Sequence, residues 1–398
     1  MFDVVGKYNR ATVYAAAIDP ETYAQILRMC NTEDLRDSRI CMMPDAHAAA
    51  HCTVGTSMTF TDRLNPAYVG DDIGCGMQLY RLSERTVDFA ALDDVIRHEI
   101  PSGPRIHEHR HPRMKEIPTK ELYCAAHIRA DVVGRSLGTL GGGNHFIEVD
   151  RGTDGALYLV IHSGSRRLGR DVALYHNAQA YFLACGVDPH EAARKKIRPS
   201  EVKGSARMGD GFLSGAYLAE YLHDMCVAVE YAAESRRAMG ETILSRMGLH
   251  AADEFATIHN YVDAQHRVLR KGAVSAAKDE RLLIPINMKD GALLCRGKGE
   301  AAWNETAPHG AGRVMRRSDA KAAITLDAYR AEMAGIFTTS VNESTIDESP
   351  MAYRRMDEIA DAVAPTAEIK DILTPLYNFK ASRPDGAAPS DDTADGED

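Results

Sequence analysis

Polar and apolar positions alternate along His145-Phe146-Ile147-Glu148-Val149-Asp150, the period-two signature of a strand with one buried face. Arg151-Gly152-Thr153-Asp154-Gly155 interrupts this with turn residues, and Leu157-Tyr158-Leu159-Val160-Ile161-His162 is apolar enough for a buried strand, so the pair predicts a hairpin. A helix is predicted over Pro20–Cys30, with Ile26, Leu27 and Met29 on its apolar side. A much longer helix is predicted over Gly215–Met247, where Leu218, Leu222, Met225 and Val229 form a stripe at helical spacing. A short apolar strand from Ile40 is predicted to close in a polar Pro44-Asp45-Ala46-His47 turn. Further strands are predicted over residues 53–60, from the glycine-rich stretch 69–77 through Leu82, and around residues 282–284 and 292–295. Residues 321–336 and 353–363 read as helices, and residues 101–116 as a loop dense in His and Arg. No repeat or linker divides the chain before its last stretch, so one large mixed α+β domain over residues 1–382 is expected.

The hydrophobic fraction of 44% permits a large core. No apolar run approaches the roughly 20 residues of a membrane span, so no membrane partner is expected. The amino terminus lacks the basic and apolar regions of a signal peptide, and the eight cysteines show neither framework spacing nor C-x-x-C. They read as reduced thiols in a cytoplasmic protein. The net charge of −10 argues against a protein that binds nucleic acid over its whole surface. From Arg383 onward six acids and one arginine contribute −5, leaving −5 for the rest, and residues 383–398 are expected to be a disordered acidic tail. A nucleic-acid substrate would need a local basic groove.

Candidate chemistry gathers at glycine-rich turns. Asp72-Ile73-Gly74-Cys75-Gly76 brings a carboxylate and a thiol close enough for one cation, and a thiolate can bridge two. His145 follows Gly141-Gly142-Gly143-Asn144, and His162 precedes Ser163-Gly164-Ser165-Arg166. Imidazoles suit a transition metal, and glycines let backbone amides approach an anion. His259 sits in Ile258-His259-Asn260-Tyr261. His309, among small residues in Pro308-His309-Gly310-Ala311-Gly312-Arg313, has the access that a nucleophile attacking phosphorus requires. Lys271, Arg313, Arg317 and Arg166 could supply fixed positive charge to phosphate. Each residue alone has an ordinary reading as a core histidine, a packed thiol or a solvated charge. His107, His109 and His111 could bind zinc, but a solvated loop touching a substrate backbone fits them better. Cys30, Cys41, Cys124, Cys185 and Cys226 read as packing residues.

Taken in order, MPDAH, DIGCGM, GTLGGGNHFIEV, IHSGSR, HNYV, RKGAVSA, HGAGRVM and IDESPMAY resemble the RNA-splicing ligase RtcB family from about Met43 to Tyr353. The resemblance implies the mixed α+β fold of that family, with a central sheet region carrying a dinuclear metal site. It implies GTP- and Mn-dependent joining of RNA 3′-phosphate or 2′,3′-cyclic phosphate ends to 5′-hydroxyl ends, in tRNA splicing or RNA repair. The implied cofactors are GTP and two Mn2+ ions, and an archease-type activator is an implied partner. Asp72, Cys75, His145, His162 and His259 match the metal ligands. His309 matches the histidine that becomes guanylylated. Asn144, Phe146, Glu148, Asn287, Gly310, Gly312 and Lys380 fall at nucleotide-binding positions, and Asp45, Arg166, Lys271, Arg313 and Arg317 at phosphate or RNA positions. The departures are Ala48-Ala49-Ala50 after MPDAH, Pro285-Ile286-Asn287-Met288-Lys289 where the family has Pro-Gly-Ser-Met-Gly, Ala292 and Arg316 at usual serines, and the acidic continuation past Lys380. The metal and nucleophile set is intact, whereas the nucleotide pocket is altered. The alternatives are a divergent paralogue with changed nucleotide or RNA specificity, a metal-dependent cyclic phosphodiesterase, and an RNA-binding protein with a relic site.

Overall fold

The computed structural model describes residues 1–202 and 206–382; the stretch expected to be an acidic tail lies outside them. The expected hairpin forms, with Phe146–Arg151 antiparallel to Leu157–Ser163 and Phe146 opposite His162. It sits inside a seven-stranded sheet in the order Ala251–Ile258, Gly76–Leu82, Leu157–Ser163, Phe146–Arg151, Ala367–Lys380, Gly291–Gly297, Arg281–Asn287. A second sheet of six strands runs Phe2–Val5, Arg10–Val13, Ile40–His47, Val54–Thr59, Val268–Lys271, Asn260–Asp263. The two sheets and their helices form the expected mixed α+β domain.

Strand alternation decides what each face of the larger sheet holds. Ile147, Val149, Leu157, Leu159 and Ile161 point one way, into a core shared with Met239 and Ile243 of the Gly215–Met247 helix. Phe146, Tyr158 and Val160 point the other way, into a cluster with Met77, Leu79, Leu283 and Leu373. His162, Glu148 and Asp150 share that second face by register. The long helix has its predicted bounds; Leu218 and Met225 are buried in the core beneath the six-stranded sheet, with Leu222 and Val229 packed against it. The Pro20–Cys30 helix also matches, capped by Asp19 accepting from the Glu21 and Thr22 amides.

Several expectations need correction. Pro44-Asp45-Ala46-His47 is no turn: the strand runs Ile40–His47, and a register shift between Met42 and His47 absorbs the proline. Residues 321–336 are not one helix but the end of Arg317–Ala323 and then Leu326–Glu332, because Thr325 caps the second. The last predicted helix begins later, at Met356–Val363. The strand Ala367–Lys380 was not anticipated at all. Cys30, Cys41 and Cys124 are buried as expected, whereas Cys226 is exposed. Among the described residues no helix is long and apolar enough to cross a membrane.

A candidate metal centre beside an accessible histidine

The candidate centre lies on the seam between the two sheets. The chain leaves the larger sheet at Ile258 and enters the smaller at Asn260, so His259 is the crossover residue. Cys75 immediately precedes the Gly76–Leu82 strand, His145 precedes Phe146–Arg151, and His162 is next to last in Leu157–Ser163. Gly76 pairs with Ser163 and Phe146 with His162, so three neighbouring strands present these side chains at one end of the sheet. Gly164 makes room for the remaining member: a Cβ there would lie 2.0 Å from Asp72 Oδ1. The glycines of IHSGSR were expected to cradle an anion; this one is required by the packing of Asp72.

Two overlapping donor groups result, Asp72/Cys75/His145 and Cys75/His162/His259, the atoms of each within 4.8 Å of one another. Cys75 Sγ lies 3.4 Å from His145 Nε2 and 3.3 Å from His162 Nε2. His145 Nε2 is 3.0 Å from Asp72 Oδ2, and His162 Nε2 is 3.4 Å from His259 Nε2. The opposite ring nitrogens of His145 and His162 face the carbonyl oxygens of Leu140 and Asn144 at 2.9 and 3.3 Å. Those nitrogens therefore carry the hydrogen, which leaves both Nε2 lone pairs directed at the cluster. Burial, reinforced by neighbouring positive groups, holds His162 and His259 well below the usual imidazole range, so both are neutral donors near pH 7. Burial alone would raise Asp72, but its contact with His145 brings it below the ordinary carboxylate range. A thiol shared between a carboxylate-containing and an imidazole-rich group fits a pair of borderline divalent cations. Arg236, fully buried on the long helix, backs the cluster by donating to the Gly74 and Ser163 carbonyls at 2.9 and 2.7 Å.

His162 and His259 form the floor of a cavity that both sheets line. His309 lies in its wall, its ring centroid 4.9 Å from that of His259. Asp45 holds it twice: the backbone amide donates to Oδ2 at 3.2 Å and the ring Nδ1 at 2.7 Å. Asp45 is fully buried and sits on the strand segment that was expected to turn. With the hydrogen on Nδ1, the lone pair of His309 Nε2 is available to a ligand. Gly312, at φ +70°, lets its loop pass: a Cβ there would meet the Asp45 carbonyl oxygen at 2.6 Å.

The predicted nucleotide and phosphate residues divide. Asn144, Phe146, Glu148, Asn287, Gly310, Gly312, Lys271, Arg313, Arg317 and Lys380 all line the cavity. Asn287 does so with its amide committed to its own turn, donating to Asp290 Oδ2 and accepting from the Lys289 and Asp290 amides. Arg166 is outside the lining and donates to the Gly103 carbonyl instead. His107, His109 and His111 also stand apart: His107 faces the Gly138 carbonyl and His111 caps the Arg113 amide. They are in neither of the donor groups found among the described residues.

Glu348 was missed by the sequence reading, as were Asp347 and Asn378. Buried Glu348 receives Lys380 Nζ at 2.7 Å and Tyr353 Oη at 2.9 Å, while Arg317 reaches both Glu348 and Asp347. Arg313 is held by Tyr353 Oη and the Asp347 and Met315 carbonyls. The three cations thus form one network around an acid. The only early signal for it was the Asp-Glu pair inside IDESPMAY. Burial pushes the Glu348 carboxyl up, but Lys380, Arg317 and Arg313 bring it well below its usual value. Glu348→Gln is expected to destabilise the protein by about 3 kcal/mol near neutrality, because it leaves buried cations uncompensated. The sign with pH follows from a lowered folded-state pKa: the contribution is fully present above the ordinary value of 4.5 and is lost as the pH falls further. In urea titrations the stability gap between wild type and E348Q should hold from about pH 7 to about pH 5 and narrow below about pH 4.5. A gap that widens on acidification would contradict this.

A buried carboxylate, thiol and imidazole cluster that could hold metal lies beneath a cation-lined cavity with a carboxylate-held histidine in its wall, the arrangement of a metal-binding enzyme site. The family model described as tRNA-splicing ligase RtcB matches residues 27–128 and 107–381. The chain belongs to that family. It is 28% identical over 368 residues to the RNA-splicing ligase RtcB of Escherichia coli K12, covering 83% of this chain and 87% of that one. To the RNA-splicing ligase RtcB2 of E. coli ATCC 25922 it is 25% identical over 422 residues, covering 93% and 98%. To the tRNA-splicing ligase RtcB of Aeropyrum pernix it is 27% identical over 408 residues, covering 80% and 82%.

Proposed function

We propose that the protein is an RNA ligase that uses GTP and manganese to join RNA 3′-phosphate or 2′,3′-cyclic phosphate ends to 5′-hydroxyl ends, with His309 as a transient guanylyl carrier. The observation that carries this reading is His309, set by Asp45 in the tautomer that presents Nε2, in the cavity whose floor is His162 and His259. Family membership supplies the RNA substrate class. Asp72, Cys75, His145, His162 and His259 would hold manganese, which when bound supplies positive charge against a triphosphate and its departing pyrophosphate.

In the first step the His309 Nε2 lone pair attacks the α-phosphorus of GTP, a P–N bond forms, and the bond to pyrophosphate breaks. Asp45 keeps the Nδ1 proton in place and stabilises the positive ring that results. An oxygen of the RNA 3′-phosphate then attacks the same phosphorus, the P–N bond breaks, and the imidazole returns to its neutral form. Finally the 5′-hydroxyl attacks the activated RNA phosphate, loses its proton and expels GMP. A cyclic phosphate is first opened by water to the 3′-phosphate. Lys271, on the cavity wall, supplies charge that complements the phosphates throughout.

The test is sealing of two RNA strands of defined ends, followed by denaturing gel. A joined product from a 3′-phosphate and a 5′-hydroxyl strand, dependent on GTP and on a divalent metal, is expected. Opening of a cyclic phosphate without joining at any nucleotide would overturn the ligase reading in favour of a phosphodiesterase.

A further inference from the structure

Glu148 and Asp150 stand two residues apart on the Phe146–Arg151 strand and face the same side of the sheet. Glu148 lines the cavity and takes a hydrogen bond from the Asn378 amide on the neighbouring strand. Asp150 lies one step further from the cavity, opposite Tyr158 on one side and Pro375 on the other. It is 0% exposed, and neither of its carboxyl oxygens is met by a donor group. Its polar neighbour is the Glu148 carboxyl.

Two adjoining carboxyls in so dry a place cannot both be ionised; one must keep a proton and give it to the other as a hydrogen bond. The environment decides which. Glu148 has the Asn378 amide and the ammonium group of Lys380 to stabilise a charge, whereas Asp150 has neither. Burial and the proximity of Glu148 accordingly hold Asp150 well above the carboxylate range; burial raises Glu148 too, but the contacts with Asp150 and Asn378 and the charge of Lys380 work against that rise.

We propose that Asp150 is a positioning residue for nucleobase selection: its protonated carboxyl donates to Glu148 and fixes that side chain as an ionised acceptor for a purine edge bearing N–H donors. Guanine offers such an edge, with its ring N–H and exocyclic amine side by side. Adenine offers a ring nitrogen acceptor at the first position, which would meet the Glu148 carboxylate lone pair to lone pair. The inference rests on the GTP reading above and names the residue through which the choice of base would be enforced. Without the Asp150 proton, Glu148 would lose a donor on its buried side, and its aim into the cavity would rest on Asn378 alone.

Calorimetric titration of the manganese-loaded full chain with GMP and with AMP tests this without any chemical turnover. Asp150→Leu removes the donor, whereas Asp150→Asn keeps one in the form of an amide. Wild type is expected to favour GMP, D150L to lose about tenfold or more in GMP affinity with AMP little changed, and D150N to stay within roughly threefold of wild type. Undiminished GMP binding by D150L would overturn the proposal. Equal losses for GMP and AMP would overturn it too, as would a D150N no better than D150L while showing wild-type thermal unfolding. A wild type that binds neither nucleotide, or both equally, would instead overturn the GTP reading itself, an outcome visible before any variant is made.

Discussion

His309→Ala is expected to abolish covalent transfer of GMP to the protein and to lower RNA sealing by on the order of 10^4-fold or more. The other imidazoles of the cavity are placed differently: His47 turns Nδ1 to the Asp45 carbonyl oxygen rather than to a carboxylate. His162 and His259, the rings beside it, turn Nε2 toward each other at 3.4 Å, and His162 also contacts the Cys75 sulfur. Among the described residues His309 alone combines a carboxylate on Nδ1 with a place in the wall above them. The variant also separates chemistry from damage. An RNA whose 3′-phosphate already carries GMP needs no histidine nucleophile, so H309A should still join it to a 5′-hydroxyl strand at a rate near wild type. If H309A failed on the activated strand too, His309 would have a structural role instead. If it sealed ordinary ends normally, the carrier reading would be wrong.

Cys75→Ala is expected to have the next largest effect, because its sulfur belongs to both donor groups. If the thiolate is shared by two cations, its loss would remove one ligand from each, and it leaves Asp72 and His145 separated from His162 and His259 by an apolar methyl group. Protein loaded with Co2+ should show sulfur-to-cobalt charge-transfer absorption that disappears in C75A. Bound metal should fall from two ions to one or none, and sealing should drop by on the order of 10^3-fold. Cys75→Ser keeps the shape but offers a harder, less acidic donor, so it should also lose the absorption band while retaining part of the metal. Unchanged stoichiometry and spectrum in C75A would remove the thiol from the centre.

How much of this was legible in the sequence depends on the range over which the responsible interaction acts. The hairpin and the long helix were readable because alternation and helical spacing are local, and each element carries apolar side chains into the core at that spacing. Asp72, Cys75, His145 and His162 stood out beside glycine-rich turns, and those turns are where strands end. The Ala367–Lys380 strand was hidden by Glu368, Lys370, Asp371 and Pro375, which look like loop residues. Pro375 is tolerated because it falls at a register shift in the pairing to Phe146–Arg151. In the same strand Tyr377 and Phe379 enter the core while Asn378 and Lys380 reach the cavity, an alternation clear only once the strand is known. Asp45 stood out as a phosphate or RNA position, but its place outside the cavity lining as the holder of His309 was masked, since a Pro-Asp pair reads as a turn unless a bulge absorbs it. The Arg313, Arg317 and Glu348 network joins residues some thirty positions apart, and composition alone left its arginines as solvated charges.

The most direct test of the central claim is to incubate the protein with a divalent metal and GTP labelled on the α-phosphate, in parallel with labelled ATP, and to resolve it on a denaturing gel. Label from GTP is expected to survive denaturation, to be released by acid as a phosphoramidate should be, and to be absent from H309A. Label that persists in H309A, or none from either nucleotide with the metal centre fully occupied, would contradict the carrier role of His309.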